Sequence, residues 1–219
     1  MPSVKIPRKS TVVDMTPFVD VAFLILTFFI MATKFKPPEP VEVTTPNSVS
    51  SDALPESDAV MITIDKDGKV YFTAFAEKDP GVLDQLMKGV SDTRQLNLSN
   101  NEIVNFRKTP MVGVPFSQLK AFLQVPAEEQ KNVKQAGIPL DSTGGELTYW
   151  IQSAKSAFAG RKLKFLIKGD NESKYPVFKM VIDALRRNEE FKYNLVTAPE
   201  DAPSGSELYN KRKGIKPAQ

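Results

Sequence analysis

Between Met15 and Thr33 the chain carries a single charged residue, Asp20. This run constrains the fold more than any other feature. It is close to the roughly 20 residues an α-helix needs to cross a hydrocarbon core of about 30 Å. Three outcomes are open to such a run: a membrane span, a cleaved secretory signal, or a helix buried in a soluble core. A signal peptide shares the basic start, but its apolar region would here begin with an aspartate, and "MATKFKPPEP" offers no convincing small-x-small cleavage site. A half-exposed core helix would need an amphipathic pattern, whereas "FLILTFFIM" is apolar on every face. Lys5, Arg8 and Lys9 precede the run and Lys34 and Lys36 close it, so basic side chains can snorkel from both ends. The excess of basic residues before the span is small. With only residues 1–14 on one side, the chain reads as a single pass whose bulk lies across the membrane.

A plain anchor has no use for Asp20. An ionised aspartate at the centre of a membrane helix costs about 2.5 to 3.5 kcal/mol. Asp20 is five residues into the span, roughly 7 to 8 Å inside the boundary at 1.5 Å per residue, so its penalty is partial. Desolvation disfavours the charged form of a carboxyl, so such a group is neutral when dry and ionised when it meets water or a polar partner. A potential of 100 mV supplies about 2.3 kcal/mol per charge, comparable to the cost of exposing and reburying the acid. One carboxyl can therefore couple ion flow to movement. Thr16, four residues before, and Thr27, seven after, share its helical face, with Phe23 and Leu24 alongside. Such a polar stripe calls for a protein partner or a wet cavity, because lipid supplies neither hydrogen bonds nor solvation. The plainer alternatives are that Asp20 pairs with a basic residue for assembly, or caps the helix start after Pro17.

Composition narrows the chemistry. The chain has 219 residues, 41% hydrophobic, with 29 Lys plus Arg against 26 Asp plus Glu and no Cys or His. Cys or His zinc sites, thiolate nucleophiles and imidazole-based triads are excluded. No Gly-rich phosphate loop or nucleophile elbow is present, so an enzyme is not expected, nor is a cofactor or a metal. The small basic excess forms no stripe, which argues against nucleic acid.

Residues 34–58 hold five prolines among Ser, Thr and acidic residues, the composition of a linker. The alternation in "VEVTT" raises a second reading, a strand that pairs only in one working state. A folded domain is expected over 59–198. "AVMITID", "KDG" and "KVYFTAF" read as a β-hairpin. "DPGVLDQLMKGV" reads as a helix with Asp79 as N-cap and Pro80 first in the helix. "NEIVNFRKT" is expected as a strand, and "VPFSQLKAFLQVPAEEQKNVKQAG" as two short helices, the second opened by Pro126 and closed by Gly137. "ELTYWIQSAKSAFAG" is a helix ended by Gly160, with Tyr149 and Trp150 as packing residues. "KLKFLIK", "YPVFKMVIDALRR" and "KYNLVTA" then form strand, helix and strand, a crossover if the strands are parallel. Asp170 and Glu172 in "KGDNES" suit turn chemistry better than a calcium loop. "KSAFAGRKLK" reads as a solvated basic edge, with contact to the cell wall or to an acidic partner as the alternative, and residues 199–219 as a disordered tail. The expected fold is thus a single transmembrane α-helix plus a two-layer α/β (α+β) soluble domain.

The stretch "DMTPFVDVAFLILTFFIMAT" strongly resembles the ExbD/TolR family of inner-membrane proton-motor subunits, whose signature is Thr-Pro, two apolar residues and Asp-Val opening one transmembrane helix. Here it reads Thr16, Pro17, Phe18, Val19, Asp20, Val21. The resemblance implies that Asp20 carries the proton, that the N-terminus is cytoplasmic and that the C-terminal domain is periplasmic. It also implies a homodimer enclosed by an ExbB-like multi-helix ring, passing energy to a TonB-like or Tol-like protein that spans the periplasm. Protons would be the coupling ion. "PVEVTTPNSVS" looks like the family's extended stretch after the span, and "KFLIKGDNESKYPVFKMVIDALRRNEEFKYNLVTAPE" like its closing strand, helix and strand. Two departures stand out: "RRNEE" replaces the usual Gly after the last helix, and residues 77–145 form an insertion without counterpart. An ExbD-like role in uptake suits the pattern somewhat better than a TolR-like role in envelope maintenance, and flagellar-type stator subunits fit it less well. A non-conducting tether for a periplasmic binding domain is the alternative from a different class.

Overall fold

The computed structural model describes residues 14–32, 40–49, 54–55, 57–141, 145–201, 203–204, 206 and 209. The chain divides into two compact units, Met1–Pro38 and Glu39–Gln219, so the Pro-rich stretch read as one linker is shared between them. The described part of the first unit is a helix, α1 (Thr16–Ala32), of 17 residues, none of them buried. Among the described residues no helix is long and apolar enough to cross a membrane. At 1.5 Å per residue α1 spans about 25 Å, short of a hydrocarbon core of about 30 Å. The expected span of 15–33 exceeds the helix by one residue at each end, and Thr33 lies outside the described residues.

The second unit is built on a four-stranded sheet. Its strands are β2 (Ala59–Ile64), β3 (Val70–Phe75), β4 (Lys164–Gly169) and β5 (Tyr193–Val196), in the order β3-β2-β4-β5. β2 and β3 form the expected antiparallel hairpin, with Ile62 opposite Phe72. Gly68 takes φ +80° at its turn, a left-handed conformation that costs glycine nothing. β4 lies parallel to β2 and to β5. The run "AVMITI" is nearly all buried because β2 is central, with both faces covered.

Alternation sorts the sheet's side chains. Val60, Ile62, Ile64, Phe72, Phe165 and Ile167 join the main core. They meet apolar residues of α2 (Gly81–Arg94), α5 (Gly145–Ala157) and α6 (Tyr175–Arg187). Trp150 is fully buried in this core and lies against Phe72, Phe106 and Phe116, with ring centroids at 4.9, 6.1 and 5.7 Å. On the opposite face Thr63, Tyr71 and Leu166 are also buried, yet only Gly fits at 113, where a Cβ would collide with the Tyr71 ring.

Some expectations fail. "NEIVNFRKT" is not a strand but a helix, α3 (Asn100–Lys108), opened by a capping box in which Ser99 and Glu102 satisfy each other's backbone N–H groups. The Ser-x-x-Glu spacing was the sequence signal for it, and Ile103 and Phe106 bury at helical spacing. After α4 (Phe116–Gln124) only one of the two expected helices forms, since residues Gln130–Asn132 make a single 3-10 turn. Gln130 spends its side-chain amide on the Val125 carbonyl at 2.9 Å, and the chain then runs out to the sheet edge. There Val112 pairs antiparallel with Phe72, and Ile138 N–H donates to the Val70 carbonyl at 2.7 Å. Most of residues 77–145 thus forms the helical layer and covers the β3 edge, which would otherwise offer unpaired backbone groups. Helix α2 begins at Gly81 rather than Pro80, although Asp79 still accepts from Gly81 N–H at 3.1 Å. Arg161, read as part of a solvated basic edge, instead bridges Asp79 at 2.6 Å and Asp58 at 3.7 Å.

Candidate functional site

The candidate site begins with how α1 is opened. Asp14 accepts from the backbone N–H of Thr16 at 3.0 Å and from its hydroxyl at 2.6 Å. These two bonds hold the exposed Asp14 carboxyl below its ordinary value, the side-chain bond being the larger influence. Pro17 follows at the second helical position, where its missing N–H would have had no intrahelical partner. Val19 N–H reaches the Met15 carbonyl at 3.0 Å, and Asp20 comes one residue later.

Thr16 and Asp20 are separated by four residues and share a face, as the sequence predicts. The two threonines have different commitments. The Thr16 hydroxyl donates to Asp14, whereas the Thr27 hydroxyl turns back on its own helix, toward the carbonyls of Phe23 and Leu24 at 3.0 and 2.9 Å. Thr27 therefore satisfies its donor without any partner. Asp20 is exposed and has no hydrogen bond or ion pair among the described residues. The capping role weighed for Asp20 falls instead to Asp14.

A second feature lies in the folded domain, where the sequence offers a linker or a conditionally paired strand, and a turn. Residues 40–49 lie along the domain as a strap. Thr44 N–H donates to the Asp170 carboxylate at 2.8 Å, and Asn171 N–H donates to the Thr44 carbonyl at 2.8 Å. Further on, β1 (Asn47–Ser48) pairs parallel with β6 (Ala198–Pro199), through Ala198 N–H to Pro46 and Glu200 N–H to Ser48, both at 2.9 Å. The pairing draws residues 199 and 200 of the expected tail into the domain, while most of 199–219 lies outside the described residues. Asp170 is 9% exposed, and its other oxygen accepts from Glu172 N–H at 2.9 Å. The backbone N–H groups of Glu172 and Thr44 hold its carboxyl below the ordinary 3.8. Both oxygens are thus spent on turn and strap, the turn chemistry read from "KGDNES". Among the described residues no cluster of acidic side chains is arranged to hold a metal ion.

The described residues thus combine an exposed apolar helix bearing one acid with a separate mixed α/β domain. The chain belongs to the ExbD/TolR family: the family model for biopolymer transport protein ExbD/TolR matches residues 7–200, which takes in α1, the strap and the whole sheet. Members of this family are motor and transport subunits generally associated with the inner membrane, and they are not known as enzymes. No curated protein and no solved structure matches the chain.

Proposed function

We propose that this chain is the proton-carrying subunit of an inner-membrane motor, with Asp20 alternately protonated and ionised as its helix moves within an ExbB-like ring. The observation that carries this reading is the placement of Asp20 at the end of Thr16-Pro17-Phe18-Val19, on a helix with no buried residue and with no partner for its carboxylate among the described residues. A helix so apolar needs a cover of lipid or protein, and a carboxyl on it needs a polar group or water supplied by that cover. In this reading the segment around α1 spans the bilayer with its N-terminus in the cytoplasm, two copies of the chain share one ring, and the sheet domain works in the periplasm. There it hands energy to a TonB-like protein for outer-membrane transport; a Tol-like partner is the alternative.

The strap is the natural transmission element, because it lies at the start of the second unit, next in sequence to the unit that holds α1. Its four backbone-mediated bonds, Thr44 to Asp170, Asn171 to Thr44, Ala198 to Pro46 and Glu200 to Ser48, are worth roughly 0.5 to 1.5 kcal/mol each in net terms. One charge crossing 100 mV yields about 2.3 kcal/mol. A stroke driven by one or two protons is therefore on the scale needed to lift the strap, and a resting domain holds it down. This gives physical content to the reading of "VEVTT" as a segment that pairs in only one working state.

The test compares Asp20→Asn with the wild type in two assays. Proton flux through the purified complex in vesicles should vanish, and co-purification of the ring partner should persist. Flux unchanged in Asp20→Asn would reject Asp20 as the proton carrier, and a wild-type complex that conducts nothing would reject the motor and leave the tether.

A further inference from the structure

Only three side chains of α1 carry an oxygen: Thr16, Asp20 and Thr27. Thr27 is committed to the Phe23 and Leu24 carbonyls of its own helix. An ionised aspartate has acceptors but no donor. Any side-chain donor that α1 itself offers Asp20 therefore has to come from Thr16, four residues earlier on the same face, where helix neighbours lie about 5 to 6 Å apart at Cβ.

The Thr16 hydroxyl is turned the other way. It donates to Asp14 at 2.6 Å, and the Thr16 N–H donates to the same carboxylate oxygen at 3.0 Å. One oxygen of Asp14 thus opens the helix and also holds the one hydroxyl within a turn of Asp20. Capping requires only the N–H bond; the hydroxyl bond is additional, and at this length a charge-assisted O–H···O⁻ contact is the stronger of the two. Among the described residues no basic side chain lies within ion-pair distance of either acid.

The two acids differ in what can replace that hydroxyl. Asp14 precedes the apolar run, where water can take the place of a lost donor. Asp20 lies six residues further on, about 9 Å along a helix axis, where lipid supplies no donor. An ionised Asp20 gains more from the hydroxyl than Asp14 loses, whereas a protonated Asp20 has no charge with which to compete for it.

We infer that Asp14 is a positioning residue for Asp20 and acts through Thr16, whose hydroxyl is shared between the two carboxylates: Asp14 holds it while Asp20 is protonated, and Asp20 takes it on ionising. The exchange breaks one hydrogen bond and makes another, and no proton passes between the acids. It rests on the motor reading, in which Asp20 changes its ionisation state.

The test follows the Thr16 methyl group by NMR as pH is varied, in the full chain threonine-labelled in lipid nanodiscs, alongside the pH profile of proton flux through the purified complex in vesicles. The Thr16 signal should move in two steps, one lost in Asp14→Asn and the other in Asp20→Asn, while Thr27 follows neither acid. Thr16→Val should move the pH of half-maximal flux by about half a unit or more, and Thr16→Ser should restore it, with the ring partner co-purifying in both. Asp14→Asn keeps the cap, because asparagine caps as well as aspartate; it should still move the flux profile, and should add nothing in a Thr16→Val background. A Thr16 signal that ignores Asp20→Asn, a Thr16→Val profile that overlays the wild type, or an Asp14→Asn shift that persists without the hydroxyl would each reduce Asp14 to a cap or a bare charge and overturn the inference. A wild-type complex that conducts nothing would reject the motor reading instead, and the Thr16 signal would then decide by itself whether the hydroxyl is shared.

Discussion

The helix α1 and the sheet domain solve opposite problems with the same apolar residues. In α1 every large side chain, from Phe18 to Met31, stays exposed. In the domain Ile62, Phe72, Leu86, Trp150 and Ile167 are removed from solvent altogether. The domain supplies its own cover, whereas α1 depends on whatever surrounds it. Polar groups divide in the same way. Glu102 in the domain is buried but occupied, by Ser99 N–H at 2.7 Å and by the Gln124 amide at 2.9 Å. Asp20 has no such partner among the described residues. A satisfied acid stabilises one conformation, while an unsatisfied one is free to change its partner during a cycle.

The comparison can be broken most sharply at Asp20. Asp20→Asn is expected to take proton-driven transport to background while leaving domain stability unchanged, since nothing in the domain's core uses it; transport assays alongside denaturant unfolding measure the two. Trp150→Ala should do the reverse. It removes the ring shared by Phe72, Phe106 and Phe116 and should cost about 3 to 5 kcal/mol of domain stability, with α1 still inserting into membranes. A Trp150→Ala domain as stable as the wild type would deny that this cluster is the core's centre.

A smaller effect is expected at the strap. Asp170→Ala removes the acceptor for Thr44, so hydrogen exchange at Thr44 should accelerate while the amides of β2 stay protected. Acid should mimic the substitution. Asp170 is held below 3.8 in the folded protein, so its contribution is present above that value and is lost as pH falls through the lower folded value. If protection at Thr44, taken relative to the intrinsic exchange rate at each pH, did not respond to that acid range or to the substitution, the strap would be held by the Asn171 bond and by β1 and β6 without Asp170. The smallest effect is predicted for Thr27→Val, because the hydroxyl donates only to Phe23 and Leu24 of its own helix. Transport within about twofold of wild type is the expected outcome, and a large loss would show that Thr27 contacts the proton path after all.

Legibility from sequence followed the range of the interactions. The hairpin at Ala59–Phe75, helices α5 and α6 and the parallel closing strands were readable because period and turn residues act over a few positions. Helix α3 was misread although its Ser99–Glu102 box is equally local, since "NEIVNF" also fits a strand of β-branched and aromatic residues. The strap anchor was out of reach. Thr44 and Asp170 are 126 positions apart, and neither is unusual in its own segment. The same holds for Arg94, whose guanidinium stacks on Phe116 of α4 and Tyr149 of α5.

The linear order of residues determined by itself that a wholly apolar stretch would be helical, that its one carboxyl would be conspicuous, and that a mixed α/β domain would follow. Those outcomes depend on local backbone preference and on the cost of wetting apolar side chains, both readable a few residues at a time. Only the tertiary structure decided that the stretch after α1 lies down on Asp170, that Val112 and Ile138 cover the β3 edge, and that Arg94 stacks on Phe116 and Tyr149. Each depends on chain segments meeting after long loops close, and the entropy of that closure carries no mark in any single segment.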